Sequence, residues 1–253
     1  MIRTCGIFCA AGGRGSFLLA GLLTGGLISI PTYADNLLHH NGVGRVYDPY
    51  VQPLERELEL RTYYQTDDDP FESDILRQRV GFGAAINERV FAELYLIGMK
   101  MPGRAMRLQS YELESKIQLT EQGEYAADWG LLVEYERERS ESVAEFATTL
   151  LVSRQWGNWV GTVNLGVEYE FGSNIRNEFD SFMSAQWRLR YRESLEPGIE
   201  IYADEFTRGI GPVLTGLVRG SGNQKWHWEA GIIVPANDTT PDYTYRVLLE
   251  YEF

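Results

Sequence analysis

His227 stands in QKWHWEAG with Glu229 two positions on, and Glu250 lies near the end of the chain. A histidine beside carboxylates can act as the base of a nucleophilic or an Asp–His hydrolytic site. A second histidine pair, His39 and His40 in LLHH, has the residue type that binds transition metals, but no Cys, Met or further His stands near it to complete a ligand set. The stretch TDDDPFESD sets Asp67, Asp68, Asp69, Glu72 and Asp74 in nine residues. Carboxylates in one loop suit a hard divalent cation, although the spacing is not that of an EF-hand and charge runs are commonly just solvated. The glycine-rich GVGR (42–45) and GSGN (220–223) lack the strand–helix setting of a phosphate loop and read as turns. The residue sets thus define no metal site, no catalytic residue and no cofactor.

The elements that would position these groups are strands. Residues 1–34 read as a cleaved signal peptide, with Arg3 and Arg14 ahead of the apolar run SFLLAGLLTGGLISI and a small-residue pattern ending at Ala34. Both cysteines, Cys5 and Cys9, fall inside it, so the mature chain has no disulfide or thiol chemistry. Residues 35–54 have no periodicity and are expected to form an irregular segment that either tucks into the fold as a small plug or lies free in the periplasm. From residue 55 to 253 the period is two. Twelve runs carry it, at 55–65, 75–86, 89–99, 107–119, 125–137, 142–154, 158–171, 178–192, 198–206, 210–219, 224–235 and 242–253, with turn signals such as Pro102-Gly103, Pro197-Gly198 and Thr240-Pro241 between them. The formal net charge of −13 argues against nucleic acid as a partner.

One face of each run is greasy and the other ionised. Trp129, Leu131, Val133 and Tyr135 alternate with Glu134 and Glu136; Trp159, Val163, Leu165, Val167, Tyr169 and Phe171 with Glu168 and Glu170; Trp187, Leu189 and Tyr191 with Arg188 and Arg190. A soluble barrel could hide the greasy face inside. The heights of the rings decide otherwise. With both barrel termini in the periplasm, Trp129, Trp156, Trp159, Trp187, Trp226, Trp228, Tyr251 and Phe253 fall at one level, and Tyr63, Tyr64, Tyr135, Tyr169, Phe171, Phe179, Tyr243 and Tyr245 at the other. Two aromatic belts around an aliphatic band mark a transmembrane barrel.

An export signal, a cysteine-free mature chain, an even set of alternating strands and the last strand VLLEYEF resemble Gram-negative outer-membrane β-barrels over residues 55–253. The resemblance implies an all-β, twelve-stranded antiparallel up-and-down barrel in the cell outer membrane, in contact with its lipid. It also implies that Tyr251 and Phe253 form the signal read by the barrel-assembly machinery. Small twelve-stranded channels for organic solutes share this general shape, and no subfamily motif is present. Because lipid cannot satisfy an open edge, the twelfth strand must pair with the first. Pro212 is expected above the membrane or at a bulge.

The ionised faces then line a lumen. Glu93, Glu112, Glu114, Glu134, Glu136, Glu145, Glu168 and Glu170 form an acidic arc; Arg61, Arg77, Arg79, Arg188, Arg190 and Arg246 form basic arcs, with Glu200, His227, Glu229 and Glu250 beside them. Pairing across the turns sets Arg190 opposite Glu200, His227 opposite Glu250, Gly81 opposite Glu93, Glu93 opposite Glu112 and Glu134 opposite Glu145. A wet lumen so lined is a passive channel for small polar or charged solutes, with the charges as its filter. A lumen filled by the same side chains is a non-conducting structural or adhesion barrel. A membrane-embedded hydrolase is a third reading, but barrel hydrolases work toward the outer leaflet, whereas His227 is expected near the periplasmic end.

Overall fold

Residues 43–68, 73–173 and 175–253 are described by a computed structural model. The alternation becomes twelve strands: β1 (Arg56–Thr66), β2 (Ile75–Asn87), β3 (Val90–Lys100), β4 (Arg107–Gln118), β5 (Asp128–Glu138), β6 (Val143–Trp156), β7 (Trp159–Gly172), β8 (Glu178–Leu189), β9 (Glu196–Ala203), β10 (Arg208–Arg219), β11 (Lys225–Pro235) and β12 (Tyr243–Glu252). Each pairs antiparallel with its chain neighbours, and β1 pairs with β12, from Glu57 opposite Glu252 to Thr66 opposite Tyr243. The barrel is closed, which removes the edge that hydrocarbon could not solvate. We call the end where β1 begins and β12 finishes the base, and the opposite end the rim.

The pleat sends alternate side chains to opposite faces. In β12, Tyr243, Tyr245, Val247 and Leu249 lie on the exposed side, and Thr244, Arg246, Leu248 and Glu250 on the buried side. Leu94, Leu113, Leu165, Ile201 and Val247 stand exposed along the middle of the wall. Around the base, Trp156 and Trp159 pack against Trp187, with ring centroids at 5.1 and 5.9 Å, and Trp226 meets Tyr251 at 4.5 Å. Around the rim, Tyr64 meets Tyr245 at 6.2 Å and Tyr169 meets Phe171 at 5.6 Å. Tyr63 is a correction to the expected rim belt: it is 4% exposed and faces the lumen, since adjacent Tyr63 and Tyr64 must take opposite faces.

Pro212 is a second correction. It sits in β10 opposite Ile199, without a register shift. The cost is local: the β10–β11 ladder runs from Ile210 opposite Val234 to Val213 opposite Gly231 with no pairs at Gly211 and Pro212. The missing proline N–H explains the lapse, and the exposed side of the strand accepts the ring.

Residues 43–51 form a plug. Val43 to Val51 pass through the lumen, and Val43, Val46, Tyr47 and Val51 are buried there. The chain reverses into β1 at Pro53 and Leu54, where Leu54 takes a φ of 68°. Residues 35–42, including His39 and His40, and the expected signal peptide lie outside the described residues.

Candidate functional site: the occupied lumen

The plug is held by side chains, not by a ladder. Among the described residues, no backbone–backbone hydrogen bond joins residues 43–51 to a strand. Asn164 of β7 substitutes for one. Its Oδ1 accepts from the Tyr47 N–H at 2.7 Å and its Nδ2 donates to the Tyr47 carbonyl at 2.8 Å. Gln118 Oε1 accepts from the Val51 N–H at 2.8 Å, and the Gly44 carbonyl accepts from Tyr202 Oη at 2.9 Å and from Arg246 at 2.5 Å. A buried amide with no partner costs about 1–3 kcal/mol, so such inward amides and hydroxyls are what let an irregular chain lie in the lumen.

Several plug side chains reach the charged wall. Arg45 lies 2.9 Å from Glu59, 3.1 Å from Glu250 and 3.7 Å from Glu229. The Tyr47 hydroxyl donates to Glu114 at 2.8 Å and accepts from Arg61 at 3.0 Å, while its ring packs with Leu132 and Leu151. Tyr50 donates to Asp128 at 2.6 Å near the base, and Lys225 donates to Gln52 at 2.6 Å. At the rim side Val43 packs with Val46, Tyr202 and Ile233.

The wall charges form several groups. Arg246, 1% exposed, bridges Glu200 at 2.8 Å and Glu229 at 3.1 Å. Arg61 pairs with Glu59 at 2.8 Å, and Arg79 pairs with Glu112 and lies 3.8 Å from Glu114, with its guanidinium 4.3 Å from the Tyr95 ring centroid. Near the base Glu196 receives Arg188 at 3.2 Å and Arg190 at 3.5 Å. Arg77 reaches Glu136 at 3.3 Å. Glu134, Glu145, Glu168 and Glu170 take the inward parity of their strands.

The register corrects four of the five expected pairings. His227 does lie opposite Glu250. Glu93 lies opposite Gly83 and Glu114 instead of Gly81 and Glu112, Glu136 lies opposite Glu145, and Gln186 lies opposite Glu200. The slips on Glu93 and Glu145 are of two residues, which conserves the face and so leaves the lumen list intact. Arg190 is different: it follows the end of β8, half exposed, and its partner is Glu196.

His227 accepts or donates to Thr215 Oγ1 at 3.0 Å through Nε2, and its Nδ1 lies 3.8 Å from Glu250. The order hydroxyl–imidazole–carboxylate has the outline of a catalytic triad, but Thr215 is 2% exposed, and a nucleophile needs space for a substrate carbonyl. Two acidic clusters, Glu55–Glu57–Glu250 and Glu112–Glu114–Glu134, bring carboxylate oxygens within 4.8 Å of one another. In the second, Arg79 already supplies the positive charge. Asp67, Asp68 and Asp74 join neither cluster, Asp74 instead accepting from Tyr64, while Asp69 lies outside the described residues.

Glu55, in the reversal before β1, is held up to about 7 by burial and by the neighbouring Glu252 and Glu250, against the pull of Lys116. A carboxyl whose folded pKa is raised binds its proton more tightly folded than unfolded. Its contribution is therefore complete below the ordinary carboxyl value of 4.5 and lost as pH rises through about 7. Thermal unfolding in detergent should show stability falling across that window, and Glu55→Gln should flatten the slope. An unchanged slope in the variant would assign the titration elsewhere.

With the plug in place the lumen is broken up. Two voids of about 40 and 30 Å³ flank Tyr47 and Gly44, each room for a few waters at most. A wider vestibule of about 290 Å³ lies toward the base, among Asp48, Glu57, Lys116, His227 and Glu250.

A closed barrel with a lipid-compatible exterior, two aromatic belts and an ionised interior is an outer-membrane β-barrel, and the cell outer membrane is its location. No protein-family model matches the chain, and no curated protein matches it by sequence. Solved structures do match. An outer-membrane channel from Pseudomonas putida F1 superimposes with a TM-score of 0.55 at 11% identity, over 83% of this chain and 98% of that one. The KdgM porin gives 0.51 at 12% identity, over 78% and 99%. The translocator domain of the autotransporter NalP from Neisseria meningitidis gives 0.52 at 17% identity, over 86% and 91%. At these identities the shared property is the fold.

Proposed function

We propose that this barrel is a passive channel for small polar or charged solutes, closed in the state described by residues 43–52, with its base toward the periplasm. The observation that carries the reading is the way the plug is fixed. Its Arg45 and Tyr47 occupy wall charges, and its backbone is tied to the wall only through side chains, so it can leave without breaking the barrel ladder. What it would uncover is a lumen in which carboxylates outnumber guanidinium groups, a field that favours cations. The channel and porin among the similar folds agree with this reading. Outer-membrane lipid and, through Tyr251 and Phe253, the assembly machinery are its proposed partners.

The test is ion selectivity. In a chain lacking residues 43–52, reversal potentials under a KCl gradient should report preference for K⁺ over Cl⁻, and Glu134→Gln with Glu136→Gln should reduce it. Anion preference would contradict the proposed filter. The filled lumen favours a second reading, a non-conducting structural or adhesion barrel, and that reading stands if the truncated barrel passes no current at any voltage.

A further inference from the structure

The wall has a step on its rim side. Glu178 to Phe182, at the start of β8, pair with β7 but with no strand on their other side, because β8 meets β9 only from Met183 opposite Ala203 to Arg188 opposite Gly198. The shortfall has a local cause. β9 ends at Ala203 because Asp204 starts a tight turn, its Oδ1 accepting from the N–H groups of Phe206 and Thr207. That turn is tied away from β8: Asn237 and Thr239 donate to the Phe206 carbonyl, and Thr240 accepts from the Arg208 N–H. Among the described residues, no backbone–backbone bond from another segment replaces the missing partner of residues 178–182.

A cavity of about 580 Å³ occupies the step. Its lining includes Leu165, Phe179 and Met183, which are exposed on the outer face, and Asp180 and Phe182, which share the inward parity of buried Ser184. A continuous sheet keeps its two faces apart, so a cavity lined by both passes through the wall where a strand is missing. It begins in the apolar band, at the row of Leu165 and Met183, and reaches Phe179 opposite Tyr169 of the rim belt, about 13 Å along the strand. An open edge at that depth is tolerated where it lines a water-filled space, and Asp180, Asp204, Glu205 and Arg208 make this space polar. On the inner side, Phe182 and Met183 also line the void of about 40 Å³ beside Gly44 and Tyr47. The Phe182 ring fills the room that a Cβ on Gly166 would need, and so stands between the cavity and the plug.

We propose that the step is a side entrance, through which small amphipathic cations, with an apolar body and an ammonium head, pass between the rim-side leaflet and the lumen. The lips formed by Leu165, Phe179 and Met183 suit an apolar body still in lipid. Three carboxylates against one guanidinium suit a cationic head. Phe182 is the inner leaf of the door. Binding at the step stands on the geometry above; passage onward rests on the channel reading and names a class of solute for it.

The probe is decyltrimethylammonium, kept below its micelle concentration, with decyl sulfate as the control. A polarity-sensitive dye is placed on Ser181→Cys, at an exposed position of the lip, in the full chain with Cys5 and Cys9 changed to serine. In nanodiscs the dye should show a saturable emission shift with the ammonium and none with the sulfate. Asp180→Asn with Glu205→Gln should weaken binding about tenfold, as the loss of two partly exposed carboxylates would. A shift that does not saturate, or is equal for the two amphiphiles, would overturn the site, since lipid partition alone gives it. An unshifted dye would overturn it too, as expected if bilayer lipid or a second copy covers the edge. For passage, the ammonium should block the KCl current of the Arg45→Ala barrel, with faster onset once Phe182→Ala is added. Heat-modifiable gel mobility selects variants that fold, and Phe182→Leu serves if the alanine variant does not. An onset unchanged by shortening Phe182 would overturn the side entrance. If the Arg45→Ala barrel passes no current while the dye still shifts, the channel reading fails and the binding site stands.

Discussion

Arg45→Ala should convert a barrel that is closed nearly all the time into one that conducts, with the open fraction in planar-bilayer recordings rising about a hundredfold. Arg45 is the plug's one cation among the described residues, and it meets Glu59, Glu229 and Glu250 at 2.9, 3.7 and 3.1 Å. Removing one partner of a buried ion pair costs about 3–5 kcal/mol, because the charges left behind keep their burial and lose their compensation. Glu59 keeps Arg61 and Glu229 keeps Arg246 in the variant, which places the loss at the low end. About 3 kcal/mol is roughly a hundredfold in an equilibrium constant. The barrel ladder contains no bond to Arg45, so the folded fraction should be unchanged, and this separates undocking from unfolding. Deleting residues 43–52 should give the same current without gating. An Arg45→Ala barrel as silent as the parent would mean that the plug is part of the permanent core.

Arg246→Met should be the most damaging single substitution in the wall, lowering the stability of the folded barrel by about 3–5 kcal/mol. The guanidinium is buried beneath Gly44 and is shared by Glu200 and Glu229, with Tyr202 as a further acceptor at 2.5 Å. Loss of the cation leaves the buried carboxylates of Glu200 on β9 and Glu229 on β11 without the partner they share. The packing of a methionine cannot offset that, although its volume is similar. If the damage is electrostatic, then Glu200→Gln and Glu229→Gln added to Arg246→Met should restore much of the stability, since apolar and neutral replacements for a whole buried ionic set are often close to neutral. Urea unfolding in detergent, followed by tryptophan fluorescence, measures both. Failure of the neutral triple variant to recover would point to lost shape, not to lost charge.

Much of the barrel was legible in the sequence because its period is two and because lipid sorts side chains more strictly than water does. Leu249 and Glu250 could not share a face, and the rings of Trp187 and Tyr169 could only fall at opposite heights. What was less legible followed from turn geometry. The slips that put Glu93 opposite Glu114 and Glu136 opposite Glu145 came from turns whose lengths the residues do not fix, and they were harmless to the lumen because they were even. Tyr63 was misplaced because an aromatic pair reads as belt on composition, whereas the pleat allows only one of the two outside. The plug was the hard part. Its residues carry no periodicity, and its partners are single polar positions, Asn164 in the apolar run VNLG and Gln118 at the end of β4. An amide inside an otherwise greasy strand was the available signal. Glu57 and Glu59 in ERELELR had the inward parity as well and belong to the lumen set.

A reversible staple tests most directly whether residues 43–52 act as a movable closure. Pro49 lies against Gly130 of β5, where an added Cβ would be 2.9 Å from the proline Cβ, a little inside the usual disulfide span of about 3.5–4.5 Å and within the adjustment that a coil segment allows. Residues 10–253 contain no cysteine. Single-channel recording of the P49C/G130C barrel carrying Arg45→Ala should show silence while oxidised, and gated current at the level of the Arg45→Ala barrel once reductant is added to the same membrane. Equal currents in the two states, or none in either, would contradict it.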